Sequence, residues 1–348
     1  MSQNHNTTVK EQSREIKYDF LRAIGACAII FVHSIPPQTN THFQWWFHSI
    51  TTPVLLSFVG LYFMLSGMFL LQSKIDGLLS YYKKRFISIV IPFFLYSCLY
   101  SCYDLVKNPQ NSSMIHTLFS IITNFLNGTI PYGSHFWFMY TLVALYIFAP
   151  YLSKMVQNLS DRELMWLTWS IIVLQGLLTY GSMFGIYLPT PLFTGWTMYF
   201  MLGYALKRLY HFKYYFRFLT LGLLSLFITV VQKRLLPDFS TNIHDLAPTM
   251  VLIATCIFLT FEFYGDIHWK PLRKMINIAG RYSFSIYMIH FLILENLSKP
   301  LVVSTRLSQM YLPAIVSTFV ITYLLSFLVA IIFDHTVVRF FLRPLQTR

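Results

Sequence analysis

The chain has 348 residues, of which 55% are hydrophobic, 18% aromatic and 11% charged, with a formal net charge of +13. A soluble domain carries roughly 25% charged residues, so a soluble protein of this length could not cover its surface with polar groups. The same figures exclude a disordered chain, a collagen and a small disulfide scaffold, and leave a polytopic membrane protein.

A mean hydropathy of +0.54 agrees. Only helices and closed barrels satisfy their backbone polar groups inside a bilayer. Barrel strands alternate apolar and polar residues over about 10 positions. Here the apolar runs at 219–231, 250–261 and 315–333 are unbroken, which is the helical pattern. The expected fold is therefore all-α, a polytopic membrane helical bundle of about ten transmembrane helices.

In chain order, residues 1–17 form a polar N-terminal tail without the short apolar core of a signal peptide. Spans are predicted at 18–36, 50–71, 86–106, 136–153, 164–180, 193–206, 218–231, 247–264, 282–298 and 311–333. The stretch 112–130 is partly apolar, but Asn124, Asn127 and Gly128 interrupt it, and it reads as a loop or a re-entrant segment. One membrane domain covers 18–335, and 336–348 form a C-terminal tail. Cys27, Cys98, Cys102 and Cys256 all fall in predicted spans, with neither zinc spacing nor an exported disulfide framework.

An even number of spans returns both termini to one side. Twenty of the 26 basic residues then lie on that side. Five lie opposite (Lys107, Lys233, Arg234, Lys299 and Arg306), and Arg22 lies within the first span. Cytoplasmic loops carry such an excess, so both termini are expected in the cytoplasm. The basic excess is thereby explained without a nucleic-acid partner.

An ionisable residue in the hydrocarbon region costs at least about 2.5–3.5 kcal/mol on insertion scales, and marks a functional position by default. Arg22 and His33 are 11 residues apart in the first span. That is three turns plus roughly 20°, so they share a face and stand about 16 Å apart along the axis. Taken singly, Arg22 also reads as a snorkelling anchor and His33 as an interfacial helix residue. Together they suggest a cation at one mouth of a channel and a base at the other. In the ninth span, His290 is about 13 Å and Glu295 about 21 Å from the cytoplasmic end, against about 22 Å for His33. Glu295 is thus expected either to orient the His33 imidazole or to face water at the lip. Glu262 stands at the level of Arg22 and is expected to pair with a cation.

The spacing Arg22-x10-His33 resembles the signature of the acyltransferase-3 family of integral membrane acyltransferases. Other segments agree in order. Phe63-Met-Leu-Ser66-Gly67-Met-Phe-Leu resembles the family's second span. Lys84-Arg85-Phe-Ile-Ser88-Ile-Val-Ile-Pro92 resembles its basic entry to the third. His135-Phe-Trp137-Phe138 followed by Pro150, Tyr199-Phe-Met-Leu-Gly203-Tyr204 and Ser283-Phe-Ser-Ile-Tyr287-Met-Ile-His290 resemble three later segments. One departure is clear. Many members carry Arg-x-x-Arg entering the third span, and here Ser88 stands in the second arginine's place.

The resemblance implies a stand-alone O-acetyltransferase of surface glycans, like that of the enterobacterial common antigen, in the bacterial inner membrane. It implies acetyl-CoA as donor substrate, no permanently bound cofactor and no metal. The acceptor would be a hydroxyl of a surface or lipid-linked polysaccharide. His33, by this resemblance, and Glu295, by its depth beside it, are the catalytic candidates, with His33 acting as general base or as an acyl relay. Arg22, Lys83, Lys84 and Arg85 would hold the donor's phosphates. Ser66, His135, Trp137, Tyr287 and His290 would support the acceptor or the site. The rival reading is a polysaccharide exporter or flippase, which needs no base facing Arg22.

Overall fold

The computed structural model describes residues 15–75, 77–109, 114–186, 194–236 and 246–346. The described residues form helices and no strand. They are α1 Ile16–Ser34, α2 His42–Gln72, α3 Leu78–Lys107, α4 Met114–Asn127, α5 Trp137–Gln157, α6 Asp161–Tyr180, α7 Trp196–Leu209 and α8 Tyr215–Leu235. They continue with α9 Pro248–Tyr264, α10 Lys270–Val303, α11 Tyr311–Phe333 and α12 Arg339–Gln346. Each predicted span overlaps one of these helices. Six helices are long and apolar enough to cross a membrane: His42–Gln72, Leu78–Lys107, Ser134–Gln157, Phe212–Leu235, Lys270–Val303 and Tyr311–Leu345. The chain is a multi-pass, all-helical membrane protein.

Of the two alternatives for 112–130, the loop is set aside: the described part contains a 14-residue helix, α4. Its apolar residues Ile115, Leu118, Phe119, Ile122 and Leu126 recur at helical spacing and are exposed. The polar interruptions belong to its end. Gly128 takes φ 72°, and Thr129 donates its backbone N–H to the carbonyl of Asn124 at 2.9 Å. Into the C-terminal tail, α11 passes through a π-helical turn, Asp334–Val338, to α12. Further π-helical turns occur at Phe86–Val90 in α3 and Leu294–Ser298 in α10.

Helix α2 packs on α1, α5, α7 and α9, most extensively on α7. Small residues permit that contact. A Cβ on Gly67 would overlap the carbonyl oxygen of Phe200, and one on Gly203 would overlap that of Met64. The two backbones touch, as small-residue faces allow in membrane bundles. Helix α1 lies between α2 and α10, and Gly280 of α10 leaves room for Asp19 of α1. Several buried hydroxyls along the spans return to their own helix: Ser57 bonds the Pro53 carbonyl, Ser97 that of Phe93 and Thr322 that of Thr318. These three are thus satisfied without a partner helix.

Candidate active site

At the basic end of the bundle, Glu262 of α9 gathers three groups. Lys17 donates to its carboxylate at 3.1 Å and Tyr18 at 2.7 Å, and Lys207 of α7 forms a third contact. Glu262 is therefore a cation's partner, as expected, but for Lys17 and Lys207. Arg22 pairs instead with Asp19 one turn earlier, at 3.0 Å, and the Asp19 side chain is fully buried. The Arg22 guanidinium also lies 5.3 Å from the ring centre of Phe69. Sequence reasoning missed Asp19. Its signal was the i, i+3 spacing to Arg22, which puts both on one face.

Arg22 lines a half-open cavity of about 140 Å³ together with Tyr62, Ser66, Phe138, Ser283 and Tyr287. These residues come from α1, α2, α5 and α10, so the family-like segments converge here. The Tyr62 hydroxyl donates to the Arg22 carbonyl at 2.8 Å, which fixes one wall. The Tyr146 hydroxyl donates to Ser66 Oγ at 3.3 Å, which leaves the Ser66 proton free to point elsewhere.

Three histidines form a layer next to the cavity. His33 of α1 stands with its ring centre 5.7 Å from that of His290 and 5.5 Å from that of Phe291. His135 is 5.1 Å from His290 and 5.4 Å from Tyr287. Tyr287 lines the cavity and also belongs to this layer, donating its hydroxyl to the His135 carbonyl at 2.6 Å. His290 is fully buried, and His135 is 5% exposed. His33 is half-buried and does not line the cavity; Tyr287 and the imidazole layer connect the two.

The hydrogen bonds fix the tautomers of the two buried rings. His290 Nδ1 lies 2.7 Å from the Tyr287 carbonyl, which can only accept. The proton is therefore on Nδ1, and Nε2 is a buried acceptor without a partner. By the same argument His135 holds its proton on Nε2, 3.3 Å from the Met288 carbonyl, and its Nδ1 is left unpartnered. The local backbone is held from outside. Tyr100 donates to the Met288 carbonyl at 2.9 Å and accepts the Leu292 N–H at 3.1 Å, bridging α10 just before its π-helical turn.

Glu295 lies in that turn. It bonds Lys299 at 2.5 Å rather than His33, and both side chains are 39% exposed. The expected orienting role of Glu295 is thus not what its geometry supports. Equal depth along two helices does not fix direction around their axes, and Glu295 stands in the π-helical turn Leu294–Ser298 facing Lys299. His290 occupies the place beside His33 instead.

The basic entry to α3 divides. Lys83 and Lys84 are exposed, whereas Arg85 is half-buried, 5.4 Å from the ring centre of Tyr81 and 5.5 Å from that of Tyr146. Arg85 lines a cavity of about 290 Å³ that shares Ile89 and Tyr146 with the inner one. Ser88 lines another, of about 450 Å³, which shares Phe284 with the inner one. Trp137 is 41% exposed, with its ring centre 5.0 Å from that of Trp196. Trp196 stacks in turn on Phe63 and Tyr199. Trp196 was also missed; nothing in its sequence neighbourhood sets it apart from span aromatics. Among the described residues no cluster of His, Cys, Asp and Glu could hold a metal ion.

An arginine, a serine and a tyrosine around a cavity, with a cluster of three imidazoles beside them, suit transfer of a group between an anionic carrier and a hydroxyl. No curated protein and no solved structure matches the chain. A family model described as an acyltransferase domain matches residues 15–331. That match covers most of the described helices and every motif that resembled the family, so the chain belongs to the acyltransferase-3 family and is a membrane acyltransferase.

Proposed function

We propose that the protein transfers an acetyl group from acetyl-CoA to a hydroxyl of a surface or lipid-linked polysaccharide, in the bacterial inner membrane. In this reading the chain has ten spans with both termini in the cytoplasm. The contact of Lys17 and Lys207 with Glu262 supports the sidedness, because it gathers two residues of the basic side at one end of the bundle. The observation that carries the function is the cavity between Arg22 and the imidazole layer. The donor's phosphates meet Arg22 and Arg85 at its mouth. Its acyl arm runs past Ser66 and Tyr287 toward His33.

His33 then acts as general base. It takes the proton of the acceptor hydroxyl, and the oxygen attacks the thioester carbonyl carbon. A C–O bond forms, the C–S bond breaks, and the sulfur leaves with the proton returned by the imidazolium. The Ser66 hydroxyl, with Tyr146 donating to its oxygen, is placed to donate to the developing oxyanion. Trp137 and Trp196 offer a flat wall for a sugar ring.

Membranes containing the protein should move radiolabel from acetyl-CoA to glycan, and membranes lacking it should not. Equal labelling in both would sink the proposal. Arg22→Ala should raise the KM for acetyl-CoA by about tenfold while kcat changes little, as expected when a charge-assisted bond of about 1.5 kcal/mol is lost. An unchanged donor dependence would return Arg22 to an anchoring role. His290 supplies a second check. His290→Gln keeps an acceptor beside His33 and should retain transfer within about tenfold, whereas His290→Leu removes it and should lose at least about tenfold more. Equal rates for the two variants would show that the acceptor nitrogen does not matter.

A further inference from the structure

We propose that Phe138 sets the length of the acyl group that the site accepts, and that a group of acetyl size fits ahead of its ring whereas a longer chain does not. The inference deepens the reading above and rests on it, because it takes the donor's carbonyl to stand beside Ser66. The cavity has an order along α2. The Arg22 guanidinium lies against Phe69, 5.3 Å from its ring centre. Ser66, three residues nearer the start of α2, meets Tyr146 at 3.3 Å. Tyr62, one turn further in the same direction, meets Phe138, with ring centres 6.1 Å apart. The Phe138 ring centre is in turn 5.1 Å from that of Tyr287. Past these rings come His135 and His290, whose ring centres lie 5.4 and 5.5 Å from that of Tyr287. Tyr62, Phe138 and Tyr287 thus stand between Ser66 and the imidazole layer.

The three rings are held differently. Tyr62 donates to the Arg22 carbonyl at 2.8 Å, and Tyr287 to the His135 carbonyl at 2.6 Å. Phe138 has no polar atom and is placed by packing alone. Its ring centre is 4.7 Å from that of Phe63, and it is 7% exposed. Leu142, one turn along α5 and also buried, extends the apolar wall toward Ser66. A volume of about 140 Å³ is below the roughly 300–1,000 Å³ that holds a whole ligand, so this space receives only the tip of the donor. Ser66 and Tyr62 are about 6 Å apart along the helix axis, and the rings themselves take up part of that. A methyl group beyond the carbonyl fits there. A six-carbon chain would have to displace buried rings, which close-packed interiors resist.

The test uses the full chain in phosphatidylcholine nanodiscs, with binding followed by calorimetry. The probes are S-ethyl-CoA and S-hexyl-CoA. These thioethers match acetyl and hexanoyl donors in chain length and carry no transferable group. The wild type should bind the ethyl probe at least about tenfold more tightly than the hexyl probe. Phe138→Ala should bring the two within about twofold, chiefly by tightening the hexyl probe. Phe138→Leu, which removes the ring but keeps most of the bulk, should fall between. The control Phe148→Ala changes a ring on the same helix that is 60% exposed, and should keep the wild-type ratio.

Equal binding of the two probes by the wild type overturns the length limit. So does a folded Phe138→Ala that keeps the wild-type ratio. If Phe138→Ala does not fold, Phe138→Leu decides in the same way. A wild type that binds neither probe fails the donor reading and the limit with it, whereas one that binds both equally fails the limit alone. Nothing is transferred in these measurements. A wild type that prefers the ethyl probe but moves no label to glycan would therefore fail the acceptor reading and leave the role of Phe138 standing.

Discussion

His33→Ala is expected to abolish glycan acetylation, by about two to four orders of magnitude, while the protein still inserts and folds. The size follows from the role. A positioned base contributes that much when it removes the proton as the oxygen attacks, and among the described residues no other imidazole has the same access. His290 and His135 are buried behind His33 with their protons committed to backbone carbonyls. His33 is half-buried, and its ring meets Phe291 edge-on. Folding should be spared because the His33 ring packs against other rings without anchoring an ion pair of the bundle. The measurement is label transfer from acetyl-CoA at saturating donor, with the size-exclusion profile of the detergent-purified variant as the folding control. The KM for the donor should change less than twofold. Wild-type labelling in a well-folded His33→Ala would remove this imidazole from the mechanism.

The first-span spacing made that prediction accessible from sequence, because one helix obeys one geometry. Arg22 and His33 share a face by arithmetic alone; in the structure Arg22 lines the cavity, while His33 packs against His290, one turn of α10 from the cavity-lining Tyr287. Apolar runs were equally legible, since an unbroken stretch must become helix in a bilayer. What could not be read was contact between helices. Depth along an axis put Glu295 level with His33, but direction around the axis decides contact. A π-helical turn at Leu294–Ser298 and a pair with Lys299 redirect it. Asp19 was hidden for the opposite reason. A carboxylate at a predicted span end looks like a surface residue until Gly280 of α10 packs over it. In α4, Asn124, Asn127 and Gly128 form the end of the helix, where composition alone makes them look like breaks in an apolar run.

The largest loss of stability is expected at Glu262, whose carboxylate is 13% exposed and holds Lys17, Tyr18 and Lys207 together. Glu262→Leu would leave Lys17 with Glu15 alone, a half-exposed carboxylate 3.2 Å away, and Lys207 without its carboxylate, at the junction of α1, α7 and α9. Lys17 is 10% exposed and Lys207 31%, so water relieves the second better than the first. Breaking a buried ion pair from one side costs about 3–5 kcal/mol, mostly as the uncompensated charge left behind. Lys17→Met should cost much less, because Glu262 keeps Lys207 and Tyr18, and the remaining pair is neutral overall. The triple change Lys17→Met/Lys207→Met/Glu262→Leu should recover most of the loss, since apolar replacement of a whole buried network is often neutral. Thermal unfolding of the purified protein in one detergent orders the four proteins. Wild type and the triple variant should melt highest, Lys17→Met slightly lower, and Glu262→Leu lowest by a wide margin. If Lys17→Met melted as low as Glu262→Leu, Lys17 and not the carboxylate would be the centre of the network. If the triple variant stayed as low as Glu262→Leu, the loss would lie in the geometry that Glu262 imposes on Tyr18 and α1, and Arg22 one turn further along that helix would be displaced with it.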